Sequence, residues 1–141
     1  MRIWHTQPNL EEMNLRARNT LVASIGICYT EVGDDYLKAT MPVDERTVQP
    51  YGLLHGGASV VLAETLGSAG ALHCIDPDRH YCVGLDINAN HIRSVSSGTV
   101  TGKASPVHLG RSTHVWEIRI SHDRGRLVCI SRITMAILQH S

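Results

Sequence analysis

The sequence predicts an α+β fold in which an antiparallel sheet packs about one long helix. Three observations carry that expectation. Residues 57–75 read as a helix with a single internal carboxylate and apolar or small residues on every side. Six further segments alternate apolar and polar residues with a period of two. The separators between the last four are short and turn-like, and consecutive strands joined by short turns imply antiparallel pairing. A helix apolar all round has to be wrapped or sandwiched by that sheet.

The elements follow in order. Asn9 and Glu12 have the spacing of a capping box, with Asn9 as N-cap and Glu12 reaching back, so a short helix runs to about Arg16. Ile25, Ile27 and Tyr29 alternate, Val32-Gly33-Asp34-Asp35 turns the chain, and Leu37, Ala39, Met41 and Val43 alternate again, giving a first hairpin closed by Pro42. A loop containing Gln49-Pro50 leads into the long helix, which ends before the Asp76-Pro77-Asp78 turn. Val83, Leu85, Ile87 and Ala89 then mark the inward face of a strand that His91 continues in phase. Val100, Gly102 and Ala104 mark the next, Trp116, Ile118 and Ile120 another, and Leu127 to Leu138 the last. The turns between them are Ser96-Ser97-Gly98, Leu109-Gly110 and Asp123-Arg124-Gly125.

Composition narrows the function class. At 141 residues, with 43% hydrophobic and 18% charged residues, the chain can bury one sizeable core, and residues 1–141 read as one domain. Thirteen basic side chains balance thirteen acidic ones, which argues against bulk nucleic-acid or anionic-membrane binding. The N-terminal stretch lacks the apolar run of a signal peptide. Residues 56–75 are long enough to span a bilayer, but Ser59, Glu64, Thr65, Ser68 and His73 fit a buried helix of a soluble domain better. Cys28, Cys74, Cys82 and Cys129 are scattered, with no C-x-x-C pair, and read as reduced thiols in a cytoplasmic protein.

Few residues are placed to do chemistry. Glu64 is the one carboxylate between Glu45 and Asp76, set among Val60, Val61, Leu62, Ala63 and Leu66. Burial there would raise its pKa. Two readings fit it: a charge paired or bonded at a helix edge or subunit boundary, or a base or nucleophile in an apolar pocket. Ser68, one turn on, shares its face and serves either that site or tight packing. His55-Gly56-Gly57 stands at the helix N-terminus, where free N–H groups and the positive dipole end can polarise a carbonyl. An ordinary glycine-rich entry capped by His55 fits the same residues. Gln49 is near enough upstream to orient a carbonyl or a water, and His91 is either a satisfied core histidine or a catalytic one. His73, Cys74, Asp76, Asp78, His80 and Cys82 crowd together, yet no pair has structural-zinc spacing, so the segment reads as a polar turn. Neither a dinucleotide-binding or phosphate-binding glycine loop nor a G-x-S-x-G elbow is present.

The run from Gln49 to Ser68, QPYGLLHGGASVVLAETLGS, resembles the hotdog-fold acyl-CoA thioesterases, in particular the branch that hydrolyses hydroxyaryl thioesters in menaquinone synthesis and siderophore proofreading. The likeness extends over nearly the whole chain, through Gly33-Asp34-Asp35, Met41 to Asp44, Val83 to His91 and Pro106 to Gly110. A bare H-G-G is weak; these segments in order are specific. The resemblance implies a hotdog fold, a curved antiparallel sheet around the central helix, and a homodimer with shared active sites, usually paired into a homotetramer. It implies Glu64 as the carboxylate that attacks the thioester carbon or activates water, and the Gly56 N–H as the group polarising the carbonyl. His55, Gln49, Ser68 and His91 match the supporting positions. Gly84, the stretch His91-Ile92-Arg93-Ser94 and the stretch His108-Leu109-Gly110-Arg111-Ser112-Thr113 match substrate-contacting segments, with Arg93 and Arg111 the candidates for CoA phosphates. It implies no metal and no organic cofactor. The Asp76–His80 turn departs in length from the family pattern, which bears on a pocket rim or an interface. Two other expectations compete: a hotdog dehydratase, whose His-Phe-Pro entry and Met-Pro-Gly helix start are missing, and a non-catalytic acyl-CoA-binding module.

Overall fold

The computed structural model describes residues 1–141. Helix α1 (Leu10–Arg16) begins where expected, the Asn9 side chain accepting the Glu12 N–H at 3.0 Å. The return half of the capping box is not made. Glu12 instead pairs with Arg16 one turn on, at 2.7 Å. A short helix α2 (Leu21–Ser24), capped by Thr20, then occupies residues that the alternation had suggested were approaching a strand. Gly26, at φ +80°, redirects the chain. Strand β1 (Cys28–Val32) therefore starts later than expected, leaving Ile25 and Ile27 before it.

Strands β2 (Leu37–Pro42), β3 (His80–His91), β4 (Thr99–Leu109), β5 (Thr113–Ser121) and β6 (Leu127–Gln139) complete one sheet of order β1-β2-β4-β5-β6-β3, antiparallel throughout. The Asp123–Arg124–Gly125 turn is a single 3-10 turn. Between β2 and β3 lies the long helix α3 (Gly56–Cys74), shifted by one residue from its expected bounds and capped by His55.

The sheet curls about α3, which touches β2 through β6. The helix seats on it through Ser59, Leu62, Ala63, Leu66, Gly67, Gly70 and Ala71, a stripe at helical spacing. The glycines set the approach: a Cβ on Gly70 would lie 2.8 Å from the Trp116 ring, and one on Gly67 2.5 Å from the Ile133 side chain. Trp116 stacks in turn on Trp4 at 6.3 Å, and the Trp4 indole N–H donates to the Gly33 carbonyl, so the N-terminal segment closes one end of the core.

Two expectations are corrected. The sheet covers one side of the helix and α2 touches part of the other, but Glu64 and Leu72 stay exposed. Glu64 is thus not buried among its apolar neighbours within one chain: its side chain reaches the edge strand beside Gly84 and is open to solvent beyond it. Val83 and Leu85 do not share the inward face with Ile87 and Ala89 but are 42% and 62% exposed. A bulge between Gly84 and Asp86 inserts one residue, so the inward side passes from Cys82 and Gly84 to Ile87, Ala89 and His91.

His114 is buried, and its Nδ1 faces the Trp116 indole N–H at 3.5 Å. Burial, with His108 nearby, pushes its pKa down. Above the ordinary histidine pKa of about 6.5 both folded and unfolded chains hold it neutral. Below that pH the unfolded chain takes up the proton and the fold does not, so stability falls. Urea unfolding at pH 7.5 and 5.5 should show a lower midpoint at the acid pH. Separately, Gly70→Ala should cost about 1–3 kcal/mol by driving a methyl into Trp116, read as a lower Tm.

Candidate active site

The loop before α3 is held by its own backbone. The Thr47 hydroxyl donates to the Pro42 carbonyl at 2.7 Å, the His55 N–H to the Thr47 carbonyl at 2.8 Å, and the Leu54 N–H to the Val95 carbonyl at 2.7 Å. The Gln49 N–H bonds to the Leu53 carbonyl, which folds the Pro50–Gly52 tip into a tight turn. Gln49 Oε1 accepts the Tyr51 N–H, leaving the side-chain amide hydrogens free to donate.

At the start of α3 the amide accounting is informative. The Gly57 N–H donates to His55 Nδ1 at 2.8 Å, and the Ala58 and Ser59 N–H groups donate to the His55 carbonyl. The Gly56 N–H makes no hydrogen bond within the chain. It is an unpaired donor at the positive end of a 19-residue helix. Because His55 Nδ1 accepts, its Nε2 carries the proton in the neutral ring and is a second donor. The His91 ring stands over Gly56, where a Cβ would come 2.9 Å from its Nε2. Gln49, Gly56 and His91 line a cleft of about 270 Å³ with Leu54, Ser59, Ile92, Arg93 and Ser94. Arg93 is anchored on the Leu127 carbonyl at 3.0 Å.

Glu64 lies elsewhere. Its Oε2 occupies the space beside Gly84, where a Cβ would approach to 2.9 Å. Ser68 is one turn further along, its hydroxyl 3.9 Å from the Met135 sulfur, and Met135 is the cross-strand partner of Gly84. Glu64, Ser68 and Gly84 thus share one place and Gln49, His55, Gly56 and His91 another. Eight residues of helix separate Glu64 from Gly56, about 12 Å along the axis at 1.5 Å per residue.

A third group sits at the start of β3. Arg111 and Ser112 line a cleft of about 650 Å³ with Arg79, His80, Ile137 and Gln139. The turn carrying them is closed by the Gly110 N–H on the Thr113 carbonyl at 2.8 Å, with the His108 ring packed against Gly110 and Leu109 exposed. Arg79 had no functional reading in the sequence, and His80 was weighed there only as a metal ligand; the His80–Gln139 pairing is what brings them to this cleft. The Arg93 and Arg111 clefts lie near opposite ends of the twelve-residue β3, a strand about 36 Å long at about 3.3 Å per residue.

Three of the four thiols are poorly suited to act as nucleophiles. Burial pushes Cys74 up to about 12 and raises Cys82 and Cys129 as well, so all three are protonated near neutral pH. The donor at Gly56 and the free carboxylate of Glu64 together suit attack on a polarised carbonyl.

Residues 51–129, which include Gly56, Glu64, Gly84 and His91, match the family model of the thioesterase superfamily. The chain belongs to that superfamily. It is a thioester hydrolase of the hotdog fold. The 1,4-dihydroxy-2-naphthoyl-CoA hydrolase of Escherichia coli K12 is 50% identical over 136 residues, spanning 96% of this chain and 99% of that one. The proofreading thioesterase EntH of Cronobacter sakazakii is 51% identical, spanning 96% and 98%. Among solved structures, a mutant of thioesterase PA1618 from Pseudomonas aeruginosa superposes with a TM-score of 0.96 at 51% identity, covering 98% of this chain and 99% of that one.

The Glu64–Gly84 contact gives a test of placement. Gly84→Ala should push the carboxylate aside without unfolding β3, since Gly84 has no left-handed backbone. Displacement on the order of 1 Å is expected to lower kcat about 10²-fold while Tm holds. Steady-state kinetics beside a thermal melt checks both.

Proposed function

We propose that this thioesterase hydrolyses acyl-CoA thioesters, with hydroxyaryl groups such as 1,4-dihydroxy-2-naphthoyl as the favoured acyl part, in the cytoplasm and in a menaquinone-type pathway. The whole chain, residues 1–141, acts as one hotdog domain. The names of the relatives that match along their full length support the substrate class. One observation carries the mechanism: the unpaired Gly56 N–H and the Glu64 carboxylate are both suited to one thioester, yet stand too far apart on one helix to act on it together.

A second copy resolves the separation. Strand β3 is a sheet edge, pairing with β6 alone, and carries exposed Tyr81, Val83 and Leu85. A long apolar edge is a ready template for pairing with another chain. Two β3 strands paired antiparallel about a two-fold axis near their middle bring Gly84 and Glu64 of one chain opposite His91 and Gly56 of its partner. The same operation brings Arg93 of one chain toward Arg111 of the other, so two groups at opposite ends of one chain converge on the CoA phosphates. Ile92, Ser94 and the His108–Thr113 turn then flank the pantetheine arm and nucleotide. The active unit is a homodimer, paired further into a homotetramer.

In that site the Gly56 N–H, at the end of a helix dipole, stabilises charge developing on the thioester oxygen, with the His55 and Gln49 donors beside it. Glu64 takes the proton from a water that attacks the carbonyl carbon and passes it to the departing CoA sulfur. In the alternative its carboxylate attacks that carbon itself, CoA leaves as a thiolate that takes a proton from water, and water then hydrolyses the mixed anhydride to free the acid and Glu64. Ser68 and His91 position the water and the acyl group. The partner's sheet also covers the exposed carboxylate, which its own chain does not.

Thiol release from hydroxynaphthoyl-, benzoyl- and acetyl-CoA measures the activity. Glu64→Gln should lower kcat by about 10²–10⁴-fold. The shared site is tested by mixing two inactive variants. Glu64→Gln and Gln49→Ala homodimers, exchanged together, should regain activity, because half of the sites in each mixed dimer hold neither substitution. If the mixture stays as inactive as its parents while subunit exchange is demonstrated by mass spectrometry, the site lies within one chain.

A further inference from the structure

We infer that the cleft between the Asp76–His80 turn and the Gly110–Thr113 turn takes the 3′-phosphate of the CoA nucleotide, an assignment that rests on the acyl-CoA reading above. Arg79, with Arg111, is then the residue by which this thioesterase tells a CoA thioester from one whose pantetheine ends without that phosphate. The cleft measures about 650 Å³, within the range of small-molecule sites, and is lined by Arg79, His80, Arg111, Ser112, Ile137 and Gln139. All six belong to one chain, so the cleft is complete without a partner.

Three features fit it to a phosphate. Two guanidinium groups line it and no carboxylate does. Both guanidinium groups are also free. The arginine side chains that make hydrogen bonds are those of Arg2, Arg16, Arg46 and Arg93, and no ion pair involves Arg79 or Arg111. The acids of the same turn are engaged or turned elsewhere. An Asp76 oxygen accepts the Asp78 N–H at 3.0 Å and faces His5 across 3.8 Å, and Asp78 lines the neighbouring hollow without pairing to a cation. The backbone, in contrast, is fixed on both sides of the cleft. The Arg79 N–H donates to the Asp76 carbonyl at 3.1 Å, the Arg79 carbonyl accepts the His140 N–H at 3.0 Å, and the Ser112 carbonyl accepts the Ile137 N–H at 2.9 Å. Two anchored turns thus hold out two free forks, whose planar N–H pairs match the oxygens of a phosphate. The Ser112 hydroxyl and the His80 ring add donors beside them.

Distance selects this end of CoA. Glu64 stands beside Gly84, and His80 lies four residues before Gly84 on β3, about 13 Å away at about 3.3 Å per residue. The pantetheine arm has about thirteen bonds from sulfur to the first phosphorus, roughly 15 Å when extended as far as a peptide chain of equal bond count. A thioester held at Glu64 therefore brings its diphosphate to the neighbourhood of His80. The ribose 3′-phosphate lies beyond, where Arg79 and Arg111 stand. A phosphomonoester carries about −1.5 to −2 at neutral pH, which suits two unpaired guanidinium groups.

Nucleotide binding and kinetics test the assignment separately. Adenosine 3′,5′-bisphosphate, which has the 3′-phosphate and no acyl group, should raise the Tm of the wild-type protein more than AMP does, since a ligand of the folded state stabilises it. Arg79→Gln and Arg111→Gln should each shrink that difference. In steady-state kinetics, the wild-type KM for benzoyl-3′-dephospho-CoA should exceed that for benzoyl-CoA about tenfold, the loss of a charge-assisted contact. Arg79→Gln should lower this ratio at least threefold, and Arg79→Lys, which keeps the charge without the fork, should fall between. If the wild type does not discriminate by the 3′-phosphate, or both glutamine variants keep the wild-type discrimination, the cleft does not hold that phosphate and the thioesterase reading stands. If benzoyl-CoA is not turned over while the bisphosphate still binds through Arg79, the thioesterase reading falls and the phosphate site remains.

Discussion

The seat of α3 on the sheet is the constraint on which the rest depends. Small residues on both surfaces bring helix and strands together: Gly67 against Ile133, Gly70 under Trp116, and Gly102 of β4 against Leu62 and Leu66. Contacts this close leave the helix little freedom to slide or to rotate about its axis, because interiors are packed as densely as crystals. Its rotation in turn fixes where two distant residues stand. Glu64 comes to the space that Gly84 leaves open, and the first amide of the helix comes under His91. A methyl group at any of the packing glycines would shift both ends together.

Much of this was legible in the sequence. The long helix, the antiparallel order and the strand positions follow from periodicity and turn residues, and the lone carboxylate and the glycine-rich helix entry stand out without any structure. What was not legible has a common cause. Alternation predicts a face only while the strand stays regular, and the bulge after Gly84 reverses the phase for Val83 and Leu85 while keeping Ile87, Ala89 and His91 inward. The exposure of Glu64 could not be read from its apolar neighbours because sequence neighbours on a helix point in different directions, and Glu64 points past the edge strand of the sheet. The early helix α2 was hidden by three residues, Ile25, Ile27 and Tyr29, whose alternation is compatible with a turn followed by a strand. The pairing of Arg79 and His80 with the Arg111 cleft depends on strand register across β6, which local patterns do not encode.

The bulge and the exposed apolar positions are connected. By turning Val83 and Leu85 outward at the free edge of the sheet, it leaves apolar side chains on the one strand that has no neighbour on that side. Exposed edges are usually blunted by charge, proline or short length. Strand β3 is long, and within His80–His91 Asp86 is its single acidic residue, with no Lys or Arg. The same inserted residue that spoils the sequence pattern thus leaves the apolar edge that the proposed second copy would use, beside the glycine that accommodates Glu64.

The chemistry divides along the same line. A helix offers its strongest anion-stabilising donor at its first residue and cannot, on the same helix, offer a carboxylate mid-helix to the same carbonyl, since about two turns intervene. One solution is to bring the carboxylate from another helix. The two-fold pairing proposed above would do this with no additional sequence, each chain supplying the missing half to the other. It also separates two demands that conflict within one chain. The donor end must stay polar and open to a carbonyl oxygen, while the carboxylate is most reactive where water is scarce. Under that pairing, a face open on the folded chain and covered on assembly would meet the second demand without burying an unpaired charge during folding, when such a charge would cost most.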